Sequence, residues 1–583
     1  MPKTEIVNDL LSERKQFILI GLTGRTGSGC TTAASILAGD QSSFPNVIDV
    51  TVDGERFFEG LDEKRFNILS NYAKENHQPF ISIKVSDFIT AYLLLVPTNE
   101  LIDYIALWTD KRDEVAQLIQ KSSILSKTLS SKSNDAIKII TNHDVKLELS
   151  KKEIEHFPKS LDRISQVTKY IKEGLNSISS DLFVTVYQDA GNKIRQYGKV
   201  AISGPEDQNA IKHLPETINR VVKGLRKHKG DKPCYIVIDA IRNPYEAKYF
   251  KDRYSAFYLV SVNAPNEDRI SYLQKVHKYS LEQIKKLDSR ESGYKEKKNQ
   301  QDSKKALSSD LMTQNVKRCI EISDIHIFNP RKEPENHNVL ASQLIWYTAL
   351  MQHPGLVTPT SVERTMQFAI SAKTNSGCIS RQVGAVVTDQ DYSVKSIGWN
   401  DVPKGQTPCN LRSYKGLKSG FDPVEYSLYE RSDSTFRTVA EKKYQQIIHV
   451  EKSGRNASYC FKTVKNSIEP KENNQVHTRS LHAEENAFLQ LTKYGTSGIE
   501  GGFLFTTASP CELCSKKAYQ LGISKIFFVD PYPGIAIDHI LTIGSKPPEL
   551  VQFRGAVGKA YHQLYEPLMP CKDELEFMAQ GSD

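Results

Sequence analysis

His482-Ala483-Glu484, followed after a gap by Pro510-Cys511-Glu512-Leu513-Cys514, is the stretch from which the rest of the chain is read. One imidazole and two thiols at this spacing are a three-ligand zinc set (His482, Cys511, Cys514), which leaves a fourth position for water. Bound zinc lowers the pKa of such a water towards ~7. Glu484 is not counted as a ligand. It stands two residues past the histidine. The bland alternative is a structural zinc site, or a chance His and Cys pair, and a lone CxxC would leave it competitive. The proline, the upstream histidine and the glutamate weigh against it, since a purely structural zinc needs no such carboxylate.

Working outward, Glu485 to Leu491 carries apolar residues at helical spacing, and Gly502 to Thr507 reads as a buried strand. Pro510 suits the first turn of a helix, which would hold Cys511 and Cys514 together. Gly522 would end that helix, and Lys525 to Val529 is the next strand. Two helix N-termini then face one metal, where their positive ends favour thiolate and hydroxide. The pattern resembles that of zinc-dependent nucleobase deaminases. This resemblance implies attack at C4 of cytosine or C6 of adenine, with Glu484 as the proton shuttle.

The chain has 583 residues, so two or more domains are expected. Hydrophobic content of 39% and charged content of 25% are those of an ordinary globular protein. Nine scattered cysteines, two of them in the motif, form no disulfide framework, which points to a reducing cytoplasm. Met1 to Lys15 is polar and lacks the pattern of a signal peptide, and no apolar run approaches a membrane span. A net charge of +8 suits anionic ligands without by itself indicating nucleic-acid binding.

Near the other end, the strand-like run Gln16–Leu22 leads into Thr23-Gly24-Arg25-Thr26-Gly27-Ser28-Gly29-Cys30-Thr31-Thr32 and then a helical run. This is the order of a P-loop, whose backbone amides and helix end cradle phosphates. Gly24 and Gly29 take the two glycine positions and Thr31 that of the magnesium hydroxyl. Cys30 stands at the lysine position, so nucleotide binding survives this reading while phosphoryl transfer is impaired. A plain glycine turn is the alternative. Further strands are expected at Val47–Val50, Phe80–Val85, Tyr235–Asp239, Phe257–Val262 and Asp324–Asn329, with a helical insertion at 93–178. Asp239 ends its strand where a magnesium-side carboxylate would be needed. Strands alternating with helices predict an α/β fold with a doubly wound parallel sheet. Over residues 15–330 the order resembles nucleoside monophosphate kinases and dephospho-coenzyme A kinase, specifically at the loop, Asp239 and Arg242. The resemblance implies a nucleoside triphosphate with Mg2+ as the ligand. The charged run Lys285–Lys305 would then be a lid, or else a solvated loop.

These readings divide the chain into a P-loop domain at 1–335, a connector at 336–360 and a deaminase domain at 361–583. Ser361 to Thr374 reads as a helix, followed by a hairpin of Gln382–Asp389 with Val394–Asn400 and a Pro-Gly loop. This block resembles the start of deoxycytidylate deaminases, with an α/β/α fold. The resemblance implies that Asn400 holds the nucleotide sugar and that Ser376 and Arg381 lie near its phosphate; buried turn groups are the alternative. Residues 411–479 exceed what such a domain needs. They carry Arg431, Lys442, Lys443, Lys452 and Arg455, and read as an oligomer contact, a regulatory insertion or an idle loop.

A kinase-like P-loop half fused to such a deaminase half resembles the two-domain cytidine deaminases of bacterial antiphage systems. That resemblance implies Zn2+-dependent deamination of free dCMP and dCTP, depletion of dCTP, a homo-oligomer, a regulatory N-terminal domain and an inhibitory small RNA. The preference between dCMP and dCTP stays open. The rivals are a polynucleotide deaminase acting on tRNA or single-stranded DNA, and a nucleotide-binding sensor without turnover.

Overall fold

A computed structural model describes residues 12, 14–40, 44–120, 137, 139–142, 151–292, 312–332, 336–419, 422–469, 477–495, 498–529 and 536–579. The chain divides into two compact units, one of residues 1–358 with 559–583 and one of 359–558.

The first unit is built on five parallel strands: β1 (Phe17–Thr23), β2 (Ile81–Lys84), β3 (Cys234–Asp239), β4 (Phe257–Asn263) and β5 (Ile325–Phe328). Their order across the sheet is β5-β4-β1-β3-β2, with β1 central. Every residue of β1 and β4 is buried, as expected of strands covered on both faces. The helices that matter below are α1 (Cys30–Leu37), which leaves β1 through the glycine loop, α2 (Leu281–Glu291) and α3 (Asn338–Gln352).

Three expectations need correction here. Val47–Asp49 forms a 3₁₀ turn rather than a strand, with a short hairpin just after it. The stretch expected as a connector, with an apolar helix at Val339–Met351, holds that helix as α3, but Leu340 and Leu350 within it are fully buried. A helix apolar on all sides belongs in a core rather than in a linker. The last residues also belong to this first unit: Tyr565 accepts a hydrogen bond from Trp346 Nε1 at 3.3 Å, and Gly355 N donates to Leu564 O at 2.9 Å. The region expected as a lid begins in α2, and its remainder, 293–305, lies outside the described residues. Parts of the expected 93–178 insertion, 121–136, 138 and 143–150, lie outside them too; the rest is mainly helical.

The second unit contains α4 (Ser361–Lys373), β6 (Gly384–Thr388), β7 (Val394–Trp399), α5 (Phe461–Ile468), α6 (Ala483–Tyr494), β8 (Phe503–Thr506), α7 (Glu512–Gln520), β9 (Lys525–Phe528) and β10 (Glu549–Gln552). The sheet runs β10-β9-β8-β6-β7. The β10/β9 and β9/β8 pairs are parallel, whereas β8/β6 and β6/β7 are antiparallel. Side chains alternate across it with the period of two that strands impose. Ala385, Val387, Leu504 and Ile526 meet Ala487 and Leu491 of α6, while Val386, Phe505 and Phe527 meet Met366 and Ala369 of α4. Residues 411–419 and 422–469 fold as a helical cluster with its own core, including Tyr426, Phe436, Tyr459 and Val464. Inside it the buried Arg412 pairs with Glu430 and donates to Tyr459 Oη at 2.8 Å. No helix among the described residues is long and apolar enough to cross a membrane.

Candidate metal centre and the cavity beside it

His482 is the N-cap of α6 and Cys511 the N-cap of α7, so both stand at helix starts whose free amides create positive potential. Pro510 therefore precedes the helix instead of opening it, and Cys514 alone of the two thiols lies within the first turn. His482 Nδ1 is 3.2 Å from Cys511 Sγ and 3.5 Å from Cys514 Sγ. The donor atoms of the three residues all lie within 4.8 Å of one another. Two thiols and one imidazole nitrogen are the soft, compact donor set that suits zinc, so the residues fit that ion. The Cys511 thiol is held down at about 4 by hydrogen bonding from Cys514, against burial, with His482 helping. Cys514 moves the opposite way, its proton retained by Cys511 and by burial.

Glu484 is 4% exposed, and burial raises its carboxyl above the ordinary value. Thr506, at the end of β8, donates to Glu484 Oε1 at 3.2 Å and fixes its direction. Several supporting residues escaped the sequence reading. Glu485 accepts from the His482 amide at 3.4 Å and pairs with Lys517 of α7, joining the two ligand-bearing helices. Asn486 clips α6 to the Trp399 carbonyl at 2.9 Å. Gly398 lets α6 lie directly on β7: a Cβ there would be 2.3 Å from Ala483 O and 2.5 Å from Ala487 N. The only sequence signal for these was a glycine inside a strand, which often marks close backbone approach.

His482, Glu484 and Cys511 line a cavity of about 350 Å3 together with Asn400 and Arg381. Asn400 spends its amide on the loop around it, accepting from Val383 N at 2.6 Å and donating to Arg381 O at 2.7 Å. Ser376 is buried behind the wall and donates to Asn400 O at 2.6 Å. Asn466 and Ser509 also line the cavity, while Asn466 Oδ1 and Ser509 Oγ are themselves buried and without a protein partner.

In the first unit, Gly24 to Gly29 connect β1 to α1, with Gly29 at φ 115°. A side chain at Gly29 would strike Asn329 Nδ2 at 2.2 Å. Thr31 lies beside Asp239, whose carboxyl is raised by burial, and burial with the nearby Asp239 pushes the Cys30 thiol up to about 12. The loop is held by its own protein. Thr26 N donates to Glu291 at 3.0 Å, as does its hydroxyl, and Arg242 Nη1 reaches the same carboxylate at 2.5 Å. Arg25 pairs with Asp288 at 2.6 Å, Asn329 donates to Ser28 O at 2.6 Å, and Arg331 donates to Gly27 O at 3.1 Å.

Comparison with known proteins adds to this geometry. Deoxycytidylate deaminase of Enterobacteria phage T2 is 28% identical over 172 residues, covering 29% of this chain and 78% of the relative. That of Enterobacteria phage T4 is 28% identical over 177 residues, covering 29% and 76%. The crystal structure of apo dCMP deaminase from cyanophage S-TIM5 aligns with 34% of this chain and all of its own, at 23% identity and a TM-score of 0.19. Residues 359–530, which hold the whole candidate centre, match the cytidine and deoxycytidylate deaminase zinc-binding region, so this C-terminal part of the chain carries the features of that hydrolase family.

Proposed function

We propose that the second unit hydrolytically deaminates free deoxycytidine nucleotides, converting dCMP and dCTP to dUMP and dUTP. One observation carries this reading: the buried Glu484 carboxylate and two of the three clustered donors, His482 and Cys511, open on the same cavity of about 350 Å3, near the lower end of small-ligand pockets. His482, Cys511 and Cys514 would hold zinc, which when bound lowers the pKa of a water towards ~7. Glu484 takes the proton released as water oxygen bonds to C4 and delivers it to ring N3. It then transfers a second proton to the amine, so the C4–N4 bond breaks, ammonia leaves and the uracil carbonyl remains. Its raised affinity for a proton fits a group that must hold one between these steps. The test is ammonia release by zinc-replete protein given dCMP, dCTP, tRNA or single-stranded DNA. Release from the free nucleotides alone is expected; release from polynucleotides alone would overturn the reading.

The first unit, in this proposal, binds a nucleoside triphosphate with Mg2+ and regulates the second without acting as a kinase. Thr31 beside Asp239 at the end of a glycine loop supports this, and Cys30 in place of lysine disfavours phosphoryl transfer. Robust phosphorylation of a nucleoside monophosphate would overturn it. By the same resemblance the protein acts in the cytoplasm as a homo-oligomer that an RNA can restrain, lowering dCTP in antiphage defence. Light scattering, RNA titration of the activity and nucleotide-pool measurements after induction test those parts separately.

A further inference from the structure

We infer that Lys462, on helix α5 of the 411–469 insertion, supplies a specificity-determining contact to the phosphate of the nucleotide. The inference rests on the deaminase reading of the cavity. Lys462 lines the cavity that also holds His482 and Glu484. Lys462 is half-buried, and its ammonium pairs with no carboxylate among the described residues. The lining holds three cationic residues, Arg381, Lys462 and Arg479, against a single acid, Glu484. Arg479 already donates to Thr407 O and to Gln406 Oε1, each at 3.2 Å. An anion entering beside the metal centre would therefore find Lys462 available.

The helix that carries Lys462 is anchored by its own core. Val464 is fully buried in the insertion core, Phe461 stacks on Phe436 at 5.2 Å, and the buried Arg412–Glu430–Tyr459 group lies just upstream.

Calorimetric titration of the zinc-replete full chain with dCMP and with deoxycytidine tests this. Lys462→Met should weaken dCMP about tenfold while deoxycytidine changes less than about twofold, and Lys462→Arg should restore most of the loss. Zinc content and circular dichroism verify that each variant is folded. Unchanged dCMP affinity in folded Lys462→Met, or equal losses for both ligands in that variant, would overturn the inference. If the parent binds dCMP but releases no ammonia, the activity reading fails while these affinities still score the contact. If the parent binds no dCMP, both fail.

Discussion

Around His482 the donor side chains stand beside a cavity, and around Gly24–Thr31 the loop's polar groups are taken up by neighbouring side chains. In the second unit His482, Glu484 and Cys511 line that cavity. In the first unit the corresponding position is filled from within. The Glu291 carboxylate takes the Thr26 amide, the Thr26 hydroxyl and Arg242, contacts of the kind a phosphate would make. A loop whose amide is already answered offers an anion only an exchange of one partner for another.

The largest effect should follow from breaking the donor set. Cys511→Ala or His482→Ala should lose the metal and all measurable deamination, and should lower the melting temperature, because ligands from two helices share one ion. Metal analysis decides it, and stoichiometric zinc in either variant would refute the ligand assignment. Next comes Glu484→Gln, which removes a proton carrier but no ligand. Its zinc content should match the parent while kcat falls about 10²- to 10⁴-fold; near-normal turnover would exclude the role given to Glu484. Smaller again is Gly398→Ala. A methyl group pressed against the α6 backbone should cost about 1–3 kcal/mol of stability and displace Glu484, reducing kcat with zinc retained. Thermal unfolding and steady-state kinetics measure both parts.

The smallest change sharpens the contrast from the other side. Glu291→Gln withdraws the internal anion from the glycine loop, and ATP should then bind about tenfold more tightly by calorimetry; unchanged affinity would count against competition at the loop. The same variant has a pH signature. Burial would raise the Glu291 carboxyl, but Arg242 and the Thr26 donors outweigh it and bring it below its ordinary value. The stability this contributes is present above the unfolded pKa of about 4.3 and is lost as pH falls through the lower folded value. Acid unfolding of Glu291→Gln should therefore show a shallower dependence in that range.

The centre was legible because its chemistry is local. His482 and Glu484 are two residues apart, Cys511 and Cys514 three, and each pair sits at a helix start that residue pattern alone suggests. The apolar runs of β1, β3 and β4 were legible for the same reason. What failed, or was missed, depended on distant contacts. Val47–Asp49 has the composition of a strand but turns before the short hairpin. The α3 run looked like a connector because its burial depends on partners such as Tyr565, 219 positions from Trp346. Glu291 lies 265 positions from Thr26, and nothing around it in the sequence points to that amide. Lys462 and Asn466 sit in a stretch that read as surplus, and only the fold brings them to the cavity.

The return of residues 559–583 to the first unit has a mechanical consequence. The hydrogen bond from Gly355 N to Leu564 O closes a covalent loop of roughly 200 residues, and that loop is the second unit. While the second unit is folded, the loop has little freedom to surrender. Once it melts, keeping its ends together costs on the order of 4–5 kcal/mol of chain entropy by the logarithmic closure law. That is comparable to the whole stability of a modest domain. A zinc chelator should thus lower the unfolding temperature of the sheet around β1, none of whose residues is a zinc ligand. Cutting the chain once inside 359–558 should remove that dependence.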